Sequence, residues 1–314
     1  MRRLSVKSFR CGATGLGLLL ALLWIVPSRA DDQGSGLKEV YLTVGFTRAA
    51  FLNMNPSDVE SAFKVLAQTV GRKRGYLITS KTRIFEDTAD FEAAIKNGAV
   101  NLPIFDAWTY LAMDIERLVT PLYVSSERGQ VGKQYVVLTR HGSGLNDLVD
   151  LRGKNIAALE TANTTLGLSW LDTLLLTNRL GTHATFFNHA QSVGKPSAAV
   201  LPVFFGKKHA CVVDTASFDV MKELNPQVGK ELQSMTISES FVDAFICLSN
   251  FGWSSEGFKR DLIQALGELH LEPAGQQLLT LFKTSQLVPF KETHMETVRQ
   301  LRTTHDKMRK GFTP

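Results

Sequence analysis

The stretch Leu151-Arg152-Gly153-Lys154-Asn155-Ile156-Ala157-Ala158-Leu159-Glu160-Thr161-Ala162-Asn163-Thr164-Thr165-Leu166-Gly167 reads as a turn, a short buried strand, a loop of small polar residues and the start of a helix. Ile156 to Leu159 is an apolar run of strand length. Asn163, Thr164 and Thr165 are residue types that cap helices. The helix they open, Leu166 to Leu180, has no acidic side chain before Asp172. A helix start presents N–H groups without intrahelical partners and a partial positive charge. With hydroxyls beside those groups and no carboxylate in the first turn, this corner suits an anion. The competing reading is an ordinary cap on a core helix.

On both sides of this stretch, strand and helix patterns alternate. Toward the N-terminus, Val40 to Phe46 reads as a strand, and Ser57 with Glu60 marks a capping box. The helix behind it carries Val59, Phe63, Leu66, Ala67 and Val70 at helical spacing and ends at Gly71. A strand begins at Tyr76 to Thr79, a helix spans Asp90 to Lys96, and Ala99 to Phe105 is a third strand that runs into Asp106. This order favours a parallel sheet with helical crossovers. Gln134 to Thr139 is a further strand, after which the alternation restarts. Ala184 to Asn188 reads as a strand, Ser197 to Phe205 as a helix, Ala210 to Val213 as a strand ending in Asp214, and Ser217 to Leu224 as a helix. Leu232 to Ser238 and Ala244 to Leu248 are the last strands, and Ser254 to Lys310 is helical in pattern. Two α/β series and a helical tail suggest that the chain builds one lobe, crosses to a second and returns, with crossings near Lys133–Leu138 and Phe241–Cys247. Ligands of open α/β sheets sit beyond the carboxyl ends of strands. That rule gathers Thr47, Arg48, Asp106, Trp108, Tyr110, Asn163, Thr164, Thr165 and Asp214 around one cleft.

The first thirty residues read as a secretory signal. Arg2, Arg3, Lys7 and Arg10 precede an apolar run from Leu16 to Val26, and Ser28-Arg29-Ala30 is a cleavage site cut after Ala30. The run is too short for a spanning helix, and Cys11 lies ahead of it, so it is not the lipid-bearing cysteine of a lipoprotein signal. The chain that follows is expected to be exported. The signal also carries the charge imbalance. It holds five of the 35 basic residues and no acid, so the remainder is balanced against the 30 acids. A nucleic-acid footprint needs a concentrated basic face and loses its support here. Cys211 and Cys247 both sit in apolar strand-like runs and read as buried free thiols rather than as a bridge. The scattered histidines and the lack of CxxC spacing imply no metal site, and no cofactor is expected.

Several of these segments together resemble the phosphonate/phosphate/phosphite periplasmic substrate-binding proteins of ABC transporters. The resemblance runs through nearly all of the chain after the signal. It rests on Val44-Gly45-Phe46, on Phe91 to Gly98, on Tyr135-Val136-Val137-Leu138, on Asn146 to Lys154, on Asn163-Thr164-Thr165-Leu166-Gly167, and on Ser197 through Gly206 to Asp214. It implies an α/β, two-lobed type 2 periplasmic-binding-protein fold, each lobe a mostly parallel sheet flanked by helices and joined by two hinge strands. On that pattern residues 1–30 are the signal peptide, 37–136 and 245–314 form lobe 1, and 137–244 form lobe 2. The chain departs from the family at Leu166, at Lys195-Pro196, at Asp106 and at Val137.

The resemblance implies a small anionic or zwitterionic ligand and a partner ABC permease in the inner membrane, with a monomer as the working form. A sensor that feeds a membrane histidine kinase is a near variant. An enzyme or a decayed interaction module on the same scaffold stays open, although no nucleophile–base constellation stands out. Thr164 and Thr165 are expected to hold an oxyanion, and Asp214 an amino or hydroxyl group, or else to cap the next helix. Asp106 is expected to act likewise or to pair with Arg48. Arg48 and Lys195 are candidate anion partners. Trp108 and Tyr110 are expected as an aromatic wall or as core. Two acids in one cleft disfavour a fully charged phosphate and argue for a zwitterion or a partly protonated anion.

Overall fold

The first strand of the computed structural model, which describes residues 36–311, is β1 (Lys38–Thr47), with Val44, Gly45 and Phe46 inside. The expected leader and its cut after Ala30 lie outside the described residues. Helix α1 (Pro56–Lys73) buries Val59, Phe63, Leu66, Ala67 and Val70 on one face. Its cap is Asn55, whose side chain accepts the N–H of Ser57 at 2.9 Å. Pro56 already adopts helical backbone at the first position, so Ser57 falls too far into the helix to be the expected cap. Then come β2 (Tyr76–Phe85), α2 (Thr88–Lys96), β3 (Leu102–Asp106), the short α3 (Ala107–Tyr110), β4 (Val119–Glu127) and β5 (Gln130–Val131).

The chain passes into a second sheet through β6 (Lys133–Arg140), followed by β7 (Asn155–Leu159), α4 (Gly167–Thr177), α5 (His183–Phe186), β8 (His189–Val193), α6 (Pro196–Phe204), β9 (Ala210–Asp214), α7 (Thr215–Leu224), α8 (Pro226–Glu231) and β10 (Leu232–Phe241). The return is made by β11 (Ala244–Ser249), and α9 (Glu256–Gly267), α10 (Pro273–Leu281), β12 (Gln286–Pro289) and α11 (Glu296–Gly311) complete the described chain. Residues 184–188, read as a strand, are mostly helical. Thr182 and Thr185 bond to each other at 3.2 Å and cap α5, and the strand follows at His189 to Val193, where the side chains are mostly polar.

The first sheet has the order β12-β4-β11-β3-β1-β2, with β5 on β4, and the second β10-β6-β9-β7-β8. Pairing is parallel within β2-β1-β3 and within β8-β7-β9, as crossover helices require. The mostly parallel sheets expected from the sequence are thus mixed. The strands that carry the chain between sheets, β6, β10 and β11, run antiparallel to their neighbours.

Three apolar layers hold these sheets. One packs α1 and the C-terminal helices against β1, through Val40, Leu42, Val44 and Phe46. Another packs α6 against Val136, Leu138, Ala157 and Leu159 of the second sheet. The third lies between them and joins Phe105, Val124 and Phe245 of the first sheet to Tyr135, Val137, Ile156 and Ala158 of the second, with Trp170 and Val298 from α4 and α11. The period-2 alternation of β6 therefore sends Val136 and Leu138 to one core and Tyr135 and Val137 to the other. Cys211 in β9 and Cys247 in β11 are buried, free and in different sheets, as expected.

Candidate functional site

Strand ends and helix starts meet where the two sheets face each other. Asp106 ends β3 and accepts the N–H of Thr109 at 2.8 Å, which caps α3. Its other oxygen accepts the Thr47 hydroxyl at 2.8 Å. Asp214 does the same in the second sheet: it ends β9 and accepts the N–H of Ser217 at 2.9 Å to cap α7. Its Oδ2 is buried and has no hydrogen-bond partner among the described residues. The pairing of Asp106 with Arg48 does not occur. Arg48 is exposed and lies 3.6 Å from Glu86, because Thr47 already satisfies the Asp106 carboxylate from the neighbouring strand.

The start of α4 differs from these two caps. Leu166 occupies the cap position and offers no side-chain oxygen. Thr164 is turned back on the loop: its hydroxyl accepts the N–H of Thr161 at 2.9 Å. Asn163 donates its side-chain amide to the carbonyl of Phe282. The N–H groups just ahead of the helix are met by Asp243, from the short connection between β10 and β11. Its Oδ1 accepts the N–H of Thr165 at 2.8 Å, the N–H of Leu166 at 3.1 Å and the Thr165 hydroxyl at 3.2 Å. The Tyr135 hydroxyl donates to the same oxygen at 2.5 Å. Gly167 lets this happen, since a Cβ there would lie 2.8 Å from the Tyr135 ring. Asp243 is 6% exposed, and its Oδ2 has no partner among the described residues. Burial pushes its carboxyl up to about 6, against the pull of the Tyr135 bond, Lys133 and the α4 N–H groups. Burial, and then the nearby Asp243 and Asp214, hold the Tyr135 hydroxyl well above its usual range, so it remains a donor.

A cleft of about 750 Å³ opens beside this cluster. Lys133, Asn163, Asp214 and Asp243 line it, with Arg128 and Lys283. Of the residues singled out from sequence, Asn163 and Asp214 are therefore on its wall, and Thr165 touches it through Asp243. Lys195 is exposed beside Pro196, another lining residue. Tyr110 is buried edge-on against Phe105 and Phe245. Trp108 packs against His305, with the Arg302 guanidinium 4.8 Å from its ring centre. Neither aromatic residue lines the cleft. Asp243, Tyr135 and Lys133 were not among the candidates. No local pattern marks Asp243, whose partners on α4 lie 78 and 77 residues away. Among the described residues no cluster of His, Cys, Asp and Glu is placed to hold a metal, and no helix is long and apolar enough to cross a membrane.

A family model described as "ABC transporter, phosphonate, periplasmic substrate-binding protein" matches residues 49–295. A search of curated proteins finds no match to the sequence. Similar solved structures include the XAC2383 protein of Xanthomonas citri bound to ATP, at 14% identity and a TM-score of 0.62, covering 87% of this chain and 99% of that one. A binding-protein component of an ABC phosphonate transporter from Pseudomonas aeruginosa aligns at 11% identity and a TM-score of 0.58, covering 86% of this chain and 87% of its own. PhnD1 from Prochlorococcus marinus, in complex with methylphosphonate, aligns at 13% identity and 0.55, covering 85% and 98%. At such identities these structures establish the shared two-lobed fold, and the family match over most of the sequence goes further: the chain belongs to the phosphonate-type periplasmic substrate-binding proteins of ABC transporters.

Proposed function

We propose that this chain captures a small zwitterion, or a partly protonated oxyanion of the phosphonate, phosphate or phosphite type, in the cleft between its sheets, and delivers it to an ABC permease. Membership of the family carries the periplasmic location and the transport role. The ligand class rests on one observation. Asp214 and Asp243 line the cleft, and one buried oxygen of each has no partner among the described residues, while Lys133, Arg128 and Lys283 line the same space. Buried acceptors without donors favour a ligand that brings donors, such as an ammonium or hydroxyl group. The basic side chains favour an acidic group on the same molecule. A dianion would meet two carboxylates at close range.

In this reading Asn163 and Thr165 contact the ligand from the α4 side and Asp214 from the α7 side. Residues 37–136 with 245–314 move as one lobe and 137–244 as the other, by bending at β6 and at the β10–β11 connection. The protein works as a monomer and performs no chemistry on its cargo.

Thermal unfolding with a panel of aminoalkylphosphonates, alkylphosphonates, phosphate, phosphite and carboxylate zwitterions tests this. A ligand at a hundredfold excess over its Kd stabilises the native state by about 2.7 kcal/mol, which raises the Tm of a chain this size by several degrees. Zwitterions are expected to shift Tm more than simple dianions at equal concentration. If nothing in the panel shifts it, the proposed ligand class is wrong.

A further inference from the structure

Several helix starts in this chain are capped locally by a side chain, that of α7 on the cleft wall among them, while those of α4, α6 and α10 are not. Asn55, Asp87, Asp106, Asp214 and Ser255 each accept an N–H from a residue two or three positions ahead. The start of α4 has no such cap and no acid in its first turn. The N–H groups of Thr165 and Leu166, just ahead of the helix, and the Thr165 hydroxyl converge on one point, to which Tyr135 adds a fourth donor from β6. Two N–H groups and two hydroxyls on one oxygen make a cradle that an external oxyanion could also occupy. Here the oxygen belongs to Asp243, whose second oxygen is buried and has no partner among the described residues.

We infer that the α4 start is an oxyanion seat and that Asp243 is its intramolecular occupant, a carboxylate of the chain that competes with the acidic group of the ligand. This deepens the proposed function and rests on it for the identity of the competing solute. Asp243 belongs to the short link, Val242-Asp243, between β10 and β11, so leaving the seat requires only that link to move. The resident charge sets the selectivity. A ligand must displace one negative charge to enter, so a monoanionic group that arrives with its own cation is favoured over a dianion.

The test uses the purified protein with Asp243→Asn and Asp243→Ala, and sulfate, inorganic phosphate, methylphosphonate and formate as probes, against sodium chloride at equal ionic strength. By calorimetry, Asp243→Asn is expected to bind these oxyanions about tenfold more tightly than the parent, since one close like charge has gone. Asp243→Ala is expected to melt lower than the parent and to recover saturably with formate or sulfate. Folded variants that respond to oxyanions no better than the parent overturn the proposal. If Asp243→Ala does not fold, Asp243→Asn decides alone, and equal or weaker oxyanion binding overturns it. The outcomes separate the two claims. Variants that gain oxyanion binding while no panel zwitterion stabilises the parent leave the seat standing and remove the solute class. A parent that binds zwitterions, with variants unchanged toward oxyanions, does the reverse.

Discussion

Asp106, Asp214 and Asp243 are all withdrawn from solvent, yet only two of them could be placed from sequence. Asp106 and Asp214 each follow a buried strand and cap a helix within three residues, a local arrangement that the order of residue types displays. Asp243 meets its partners through the crossing of two sheets, and its own neighbourhood, Phe241-Val242-Asp243-Ala244, has no distinguishing pattern. The loop Asn163–Thr165 ahead of α4 was legible for the same reason as the caps, whereas the Asp243 carboxylate that it meets was not. Burial without a full set of partners has a pH signature. The Asp243 carboxyl is pushed up to about 6 in the folded state from 3.8, so the native chain binds this proton more tightly than the unfolded one. Its contribution to stability is therefore greatest below about pH 4 and is lost as pH rises through about 6. In urea unfolding from pH 4 to 7, the parent should lose about 2 kcal/mol relative to Asp243→Asn, most of the free-energy equivalent of holding this proton that much more tightly in the folded chain. Acids common to both proteins cancel in that difference, and parallel curves would show that the carboxyl is not perturbed by its burial.

At the level of elements, the long amphipathic helices and the buried strands of each parallel set were readable because their periods are strong. The strands β4 and β12 were not. Pro121 interrupts the pattern of β4, and β12 is four residues long. β12 forms the sheet edge and β4 lies between it and β11, and both pair with distant segments. The helical tail was readable as helix, but not its docking. His305 of α11 donates from Nε2 to Asp172 of α4 at 3.1 Å, and the same carboxylate accepts the His183 backbone N–H at 2.5 Å and its Nδ1 at 2.7 Å. Burial alone would raise the Asp172 carboxyl, but the bonds from His183 and His305 outweigh it and hold the group below its ordinary value. For a depressed carboxyl, the stabilisation is present at neutral pH and disappears as pH falls below the usual carboxylate range. Asp172→Ala should lower unfolding free energy by about 3 kcal/mol at pH 7, because it strands the donors that converge on this carboxylate. The loss should shrink in acid, which denaturant titrations at pH 7 and pH 3 would measure.

Across the whole molecule, the polar bonds between the two halves outside the crossing strands include the His305–Asp172 bond of α11 and α4, the Thr297 hydroxyl donating to the Ser240 carbonyl at 2.7 Å, and three contacts between loops. Asn53 donates to the carbonyl of Glu160 at 2.6 Å, Ala162 donates its N–H to Leu52 at 2.9 Å, and Asn163 reaches Phe282. If the lobes hinge as proposed, the double variant Asn53→Ala with Asn163→Ala should populate a more open form, seen as a larger radius of gyration in small-angle scattering without ligand. An unchanged radius would mean that the apolar layer between the sheets, with the bonds from α11 to Asp172 and Ser240, holds them together. The division into two lobes was legible because the α/β alternation restarts, while the contacts across the gap depend on loop shapes that no periodicity encodes. The strand order also fixes a sequence of events in time. In the first sheet β11 lies between β4 and β3, so those two strands cannot be joined until residues 244–249 are available. The second sheet needs nothing beyond residue 241. A chain emerging N-terminus first on the far side of a membrane would complete its second sheet while the first was still in two pieces. The early arrivals, β3 and β4, wait with bare edges, which delays burial during passage and makes that interval the one most exposed to unwanted strand pairing.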